Sequence, residues 1–99
     1  MRIEIIANLT IEENIMDELR TEGVAKFYTK TPSVHGVGRQ GPRMGDAVWP
    51  EENFMMVVWC DMEEALGIER AVNRVKKSFP NEGVKIFGLH QIYANDKLL

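Results

Sequence analysis

The sequence predicts an α+β fold in which a four-stranded antiparallel sheet carries two helices on one face. The 99-residue chain alternates strand-like and helix-like segments in the order β-α-β, long loop, β-α-β. Two β-α-β units in so short a chain form one sheet with both helices on the same side. The composition, with 44% hydrophobic and 27% charged residues, is typical of one globular domain.

The first half of the chain predicts a strand, a helix and a second strand. Residues 3–7 begin with alternating apolar and charged side chains and continue with consecutive apolar ones, as in a strand with a buried face. Thr10 and Glu13 have the spacing of a capping box, and Gly23 supplies a left-handed stop, so we expect a helix over residues 11–22. Residues 24–31 are rich in strand-forming side chains, and Pro32 either ends this strand or gives it an edge or bulge character.

The second half predicts strand, helix and strand again. Residues 54–60 are apolar throughout, which is typical of a central strand covered on both faces. Asp61 and Glu64 repeat the capping spacing before a helix that should end near Ser78, and residues 84–89 form the last strand. Because the helices cover only one face of the sheet, we expect its open face to be buried against other subunits.

This order of elements is the ferredoxin-like βαββαβ arrangement, in one domain over residues 1–99. The net charge of −3 argues against a nucleic-acid partner. The longest apolar run is seven residues, whereas a membrane span needs roughly 20, so the protein should not be membrane-inserted. A single cysteine, Cys60, excludes an intrachain disulfide and suits a cytoplasmic protein.

A glycine-rich segment follows the second strand and leads into a long loop, expected to be flexible, at residues 41–53. Gly36 and Gly38 would let the backbone approach an anion closely. Arg39 adds a guanidinium suited to phosphate or carboxylate, and Gln40 can pair with a base edge or a carbonyl. Because the segment does not open a helix, its spacing alone favours a glycine-rich hairpin bearing a solvated arginine over an anion site.

In the order and spacing of these segments, the chain resembles the PII-like family of trimeric signalling proteins. In that family the second strand leads through a Gly-Phe-Gly-Arg-Gln segment into a long loop, and a glycine turn later ends in Lys-Ile-Phe. Residues 36–40 and 83–87 match these two pieces, and the resemblance extends from residue 1 to about residue 89. It implies a cytoplasmic homotrimer with the ferredoxin-like fold that acts as a regulator and not as an enzyme.

The resemblance also implies where ligands and partners bind. In the family an adenine nucleotide, such as ATP, ADP or AMP, lies in the cleft between adjacent subunits. Carried over by position, the ligand-binding residues are Gly36, Gly38, Arg39, Gln40, Gly83 and Lys85. The loop would control a target transporter or enzyme, with Arg43 and Trp49 as contact residues. The resemblance implies no catalytic residues.

Three features depart from the family pattern. The glycine turn is shortened, and Glu82 would repel a phosphate. The loop contains no tyrosine, which excludes at that position the uridylylation known from enterobacterial members. Residues 91–99 lack the paired arginines that complete the nucleotide site. The sequence therefore predicts a divergent PII-like protein and not a nitrogen-regulatory PII proper.

Two other functions stay open from the sequence. His35, His90 and Cys60 could form a soft metal site in a trimer of CutA-like type, although no paired His or Cys motif supports ligation. Ferredoxin-like oligomers also include small enzymes such as monooxygenases, but the sequence offers no acid–base pair in a shared pocket. We therefore expect a regulator first and a metal-binding trimer second.

Overall fold

The computed structural model describes residues 1–38, 41–43 and 52–90. Its elements in chain order are β1 (Arg2–Asn8), a 3-10 turn (Leu9–Ile11), α1 (Glu12–Glu22), β2 (Thr29–Val34), β3 (Gly36–Gly38), β4 (Gly41–Arg43), β5 (Asn53–Trp59), α2 (Met62–Ser78) and β6 (Val84–Leu89). One antiparallel sheet has the strand order β2-β5-β1-β6, and β3 pairs with β4 in a separate hairpin. The predicted α+β fold is confirmed. Among the described residues, neither helix is long and apolar enough to span a membrane.

One face of the sheet is buried beneath both helices. Every second residue of β1 and β5 points into this layer, and Ile5, Phe54 and Met56 have no exposed surface. The helices contribute the facing apolar side chains, which are Ile15, Leu19, Ile68, Ala71, Val72 and Val75. This packing of two apolar stripes on one apolar face is the only sizeable core in the described chain.

The opposite face of the sheet has no helix over it, and we call it the open face. The strand register places on it Arg2, Glu4, Ile6, Thr29, Thr31, Met55, Val57, Trp59, Lys85, Phe87 and Leu89. Trp59, Phe87 and Leu89 are exposed by 59%, 47% and 51%. Arg2 donates from Nε to Glu4 Oε2 over 2.7 Å, and its guanidinium lies 5.3 Å from the centre of the Trp59 ring. The described chain therefore covers β5 on one face only, and the burial of its other face against further subunits stays a prediction.

The start of α1 differs from the predicted capping box. The cap is Asn8, which is only 2% exposed and whose side chain accepts a hydrogen bond from the Thr10 N–H over 2.9 Å. This closes the 3-10 turn, and α1 then begins at Glu12 without a side-chain cap at Ile11. Asn8 and not Thr10 is the capping residue, because its short side-chain amide can accept a hydrogen bond from the backbone two residues further on. Gly23 ends α1 with a φ of 73°, as predicted.

The second strand begins at Thr29, five residues later than predicted. In the segment before it, Ala25 is buried and has a φ of 56°, and its N–H donates to Glu64 Oε2 over 2.8 Å. The residues around Phe27 therefore do not pair with the sheet, although their side chains are of the strand-forming type. Asp61 does cap α2 by accepting from the Glu64 N–H, but the Glu64 carboxylate binds Ala25 in place of closing a capping box.

The strand β2 lies on the edge of the sheet and continues through Pro32. Its register with β5 shifts between Thr31 and Val34, as one of the two predicted alternatives requires. An edge strand with a bulge can accommodate proline because one side of its backbone has no neighbour.

Ion pairs connect the two helices across their shared surface. Arg74 donates to Glu18 over 2.7 Å and to Glu22 over 2.8 Å, and Arg70 donates to Glu22 over 3.3 Å. Both arginines therefore lie on an exposed surface of α2 and are paired there with acidic side chains of α1. Hydrogen bonds from Arg74 and then Arg70 lower the pKa of the Glu22 carboxyl below its ordinary value.

We expect Glu22→Gln to destabilise the protein at neutral pH and to matter much less in acid. A carboxyl whose pKa is lowered by folding contributes stability above its unfolded pKa, and that contribution is lost as the pH falls through its folded pKa. Urea unfolding at neutral pH and at about pH 3 measures this difference. Glu69→Gln, an exposed change on α2, is the control. A destabilisation that is equal at both pH values would contradict the ion-pair explanation.

Candidate ligand site

The ligand residues predicted from the sequence are divided between opposite edges of the sheet. The edge strand β2 leads into the β3–β4 hairpin, and the other edge strand, β6, begins directly after Gly83. Both lie at the end of the sheet where β1 finishes, because Asn53 is in register with Val34 and with Asn8. Three strand spacings of about 4.8 Å separate the two edges, roughly 14 Å in all. One chain therefore holds the predicted ligand residues in two separate groups.

The glycine-rich segment forms a hairpin, which is one of the two structures that the sequence allows. Gly36 is paired with Arg43, and Gly38 with Gly41. The expected loop at residues 41–53 is therefore shorter at both ends, because residues 41–43 belong to β4 and Asn53 begins β5. Strand pairing of the two glycine-containing arms accounts for the difference at the first end.

Three of the predicted site residues lie outside the described residues. These are Arg39 and Gln40, which would contact the nucleotide, and Trp49, which would contact a partner. Arg43 lies in β4, and its partner-contact role stays a prediction.

The glycine turn before β6 is held by the end of β1. The Asn8 N–H donates to the Gly83 carbonyl over 3.0 Å, and Gly83 is exposed. A β-carbon placed on Gly83 would meet no atom within 4 Å, and the residue does not have a positive φ. The packing of the described subunit therefore does not require glycine here, whereas the close approach of a ligand to the backbone would.

The other residues of this turn have opposite effects on an anion. Lys85 is exposed and lies beside Ile6 on the open face, where its ammonium can bind a phosphate. Glu82 is half-buried in the turn, with its N–H donating to the Phe79 carbonyl over 3.1 Å. The turn thus combines one cationic and one anionic side chain around an open backbone position.

The three residues considered for a metal are not brought together. His35 follows β2 at the end of the sheet near Asn53, whereas Cys60 and His90 follow strands that finish at the other end. Within residues 1–38, 41–43 and 52–90, no group of three or more His, Cys, Asp or Glu could hold a metal ion. Burial also raises the pKa of the Cys60 thiol, which disfavours the metal-binding thiolate.

A cavity of about 450 Å³, which the sequence did not indicate, lies between the end of α1 and the start of α2. Three of its acidic lining residues already accept hydrogen bonds within the chain: Glu22 from arginines, Asp61 from a backbone N–H, and Glu64 from Ala25. Because these carboxylates are satisfied and none of the predicted ligand residues lines the cavity, it does not form part of the candidate site.

These features define a class of protein: a ferredoxin-like domain with a glycine hairpin at one edge of its sheet and a glycine turn at the other. The family model for the nitrogen regulatory protein P-II matches residues 1–92, so the chain belongs to the P-II family. This confirms the resemblance seen in the sequence, and with it the coarser expectation of a regulatory signalling protein. No curated protein matches the chain.

Solved structures of similar fold include two PII-like proteins and a DUF3240 family protein. A nitrogen regulatory PII-like protein of Thiomonas intermedia K12, solved with ADP, AMP and bicarbonate, is 20% identical with a TM-score of 0.65, covering 87% of this chain and 81% of that one. A protein of Thermus thermophilus assigned to PII-like signalling is 26% identical with a TM-score of 0.58, covering 87% and 80%. A DUF3240 family protein of Shewanella baltica OS155 is 16% identical with a TM-score of 0.59, covering 94% and 93%.

Proposed function

We propose that the chain is the subunit of a homotrimeric regulator that binds an adenine nucleotide in the clefts between adjacent subunits. The observation that carries this proposal is the division of the site between opposite edges of the sheet, roughly 14 Å apart. The halves meet directly where the hairpin edge of one subunit adjoins the β6 edge of the next. A ring of subunits joined edge to edge in this way is a closed heterologous assembly.

The open face supports assembly independently of the site. Its apolar residues, including Val57, Trp59 and Phe87, form a continuous surface that a single subunit leaves in contact with water. Such a surface is typical of a protein interface. On this face Arg2 and Glu4 form an ion pair with each other, so burial of the face leaves neither charge unpaired.

The proposed ligand follows from the site and from family membership. Gly83 and Lys85 would hold the phosphates from one subunit, and Gly36, Gly38, Arg39 and Gln40 would line the cleft from the next. The Thiomonas intermedia protein of similar fold contains ADP and AMP. Because Glu82 adds a negative charge beside the turn, we expect ATP to bind no more tightly than ADP.

The proposed activity is regulation without catalysis. Nucleotide binding would change the loop that begins after the β3–β4 hairpin, and the loop would then bind or release a target transporter or enzyme. Arg43 and Trp49 are the residues that we expect to contact the target. A CutA-like metal trimer receives no support from the positions of His35, Cys60 and His90.

Isothermal titration with ATP, ADP, AMP and cyclic AMP tests the nucleotide proposal. We expect ADP to bind, and Gly83→Ala to weaken its binding by about tenfold or more, which is about 1.4 kcal/mol. The added methyl group would block the phosphate without meeting another atom of the subunit, so the unfolding temperature should not fall.

The control is Asn81→Ala, an exposed change in the same turn, which should leave the affinity unchanged. The nucleotide proposal fails when none of the four nucleotides binds. The assignment of Gly83 fails when Gly83→Ala binds ADP as tightly as the natural protein.

A further inference from the structure

A hydrogen-bonded junction at the end of β1 connects the glycine turn before β6 with the two stems of the loop, which are the residues that flank the loop on either side. We call it the β1 junction, and it consists of Asn8, Leu9, Ser33, Glu52 and Gly83. The Asn8 N–H donates to the Gly83 carbonyl over 3.0 Å, and the next N–H, of Leu9, donates to the Glu52 carbonyl over 2.8 Å. The backbone N–H groups of two consecutive residues therefore bind the residues that directly precede β6 and β5.

The centre of the β1 junction is fixed by the core. Asn8 is the one polar residue among the buried positions of the described chain, and its side chain is engaged with the Thr10 N–H over 2.9 Å. The turn that it closes leads to Ile11, which is 1% exposed and packs in the core. Because both sides of the turn are anchored, the two amides that bind the Gly83 and Glu52 carbonyls keep a fixed spacing.

Glu52 extends the β1 junction to the other stem. Its carboxylate accepts a hydrogen bond from the Ser33 hydroxyl over 2.8 Å, and this contact is exposed to solvent. Ser33 lies where the register of β2 shifts, between Thr31 and Val34 and shortly before the β3–β4 hairpin. Glu52 therefore contacts the end of β1 through its backbone and the bulged part of β2 through its side chain.

We propose that the β1 junction transmits nucleotide occupancy at Gly83 to the two stems of the loop, with Ser33 and Glu52 as positioning residues. The inference rests on the proposed function, because it needs a nucleotide at the glycine turn. The backbone bonds of the buried amides are the rigid part of this connection. The Ser33–Glu52 bond is its adjustable part, since an exposed side-chain bond in a bulge reforms or breaks at little cost.

Two measurements on the full chain separate this role from ligand binding. Titration calorimetry gives the affinity for ADP, and hydrogen exchange followed by mass spectrometry gives the ADP-induced change over residues 44–53. For Ser33→Ala we expect an ADP affinity within about twofold of the natural protein, with the ADP-induced exchange change reduced by about threefold or more. Ser33→Thr, which keeps a hydroxyl, should restore the change, and Ser78→Ala, an exposed change at the end of α2, should leave both measurements unaltered.

The outcomes distinguish this inference from the proposed function. If the natural protein binds no ADP, both fail together. If it binds ADP but Ser33→Ala retains the full exchange change, or if no exchange change occurs at all, the inference alone is overturned. An ADP affinity that falls in parallel with the exchange change also overturns it, because Ser33 would then belong to the ligand site.

Discussion

Val57→Glu should convert the proposed trimer into folded monomers that no longer bind nucleotide. Val57 lies near the centre of the open face, with Thr29 opposite it on one side and Glu4 on the other. A second carboxylate beside Glu4 would be buried without a cation in an assembled face, at a cost of about 3–5 kcal/mol. The core should persist, because the neighbouring Met56 and Val58 point to the other face. Sedimentation equilibrium measures the mass, and circular dichroism checks the fold.

The control for this prediction is Leu66→Glu, which adds the same charge at an exposed position on α2. We expect it to leave the oligomeric state unchanged. A Val57→Glu protein that remains trimeric would show that the subunits assemble through a surface other than the open face. Folded monomers that still bind ADP normally would instead show that the site lies within one subunit.

Phe54→Ala should cost about 3–5 kcal/mol of unfolding free energy, a large part of the stability of so small a domain. Phe54 has no exposed surface and lies in the central strand β5 beneath the helices. Removing its ring leaves a cavity between sheet and helices that the rigid strands cannot close. Urea unfolding measures the change.

Two further variants keep this stability prediction interpretable. Phe54→Leu retains most of the volume and should cost less than the alanine change, which allows a measurement if Phe54→Ala does not fold. Leu66→Ala, at a side chain that is 49% exposed, should cost no more than about 0.5 kcal/mol. A cost below about 1 kcal/mol for Phe54→Ala would contradict the assignment of the core.

The parts of the fold that were predicted well have strong local signals. The helix α2 has a capping Asp61 and ends just before Pro80, and β6 occupies the predicted residues 84–89. The start of β2 was not predictable in this way, because the bond between Ala25 and Glu64 joins residues 39 positions apart. At the start of α1 the local signals were ambiguous, since Asn8 and Thr10 are both good capping residues.

The sequence proposes a set of ligand residues but does not give their arrangement. Glycine and arginine in one segment indicate an anion site by their chemistry, and Gly83 with Lys85 follow from the family resemblance. Their separation onto opposite edges follows from the strand order β2-β5-β1-β6, which pairs strands distant in the chain. Ser33 and Glu52 gave no signal, because polar residues beside a loop are common and their bond depends on the bulge in β2.

The ion pairs between the two helices were likewise not predictable from the sequence. Arg70 and Arg74 have the spacing of a solvated face, and only the packing of α1 against α2 brings Glu18 and Glu22 to them. Which acidic side chain a surface arginine meets depends on how the helices cross, and the sequence carries little information about that.

The central claim, a nucleotide site shared between subunits, is tested most directly by mixing two defective variants. Under the proposed assignment, Arg39→Ala should damage one half of every cleft and Lys85→Ala the other half, so neither protein alone should bind ADP. When the two are co-expressed, every mixed trimer contains one cleft that joins an intact Arg39 to an intact Lys85. Titration calorimetry of the purified mixture should therefore recover ADP binding at up to one site in each mixed trimer. If both residues act within the same subunit, no mixture contains an intact site, and the absence of any recovery would contradict the shared cleft.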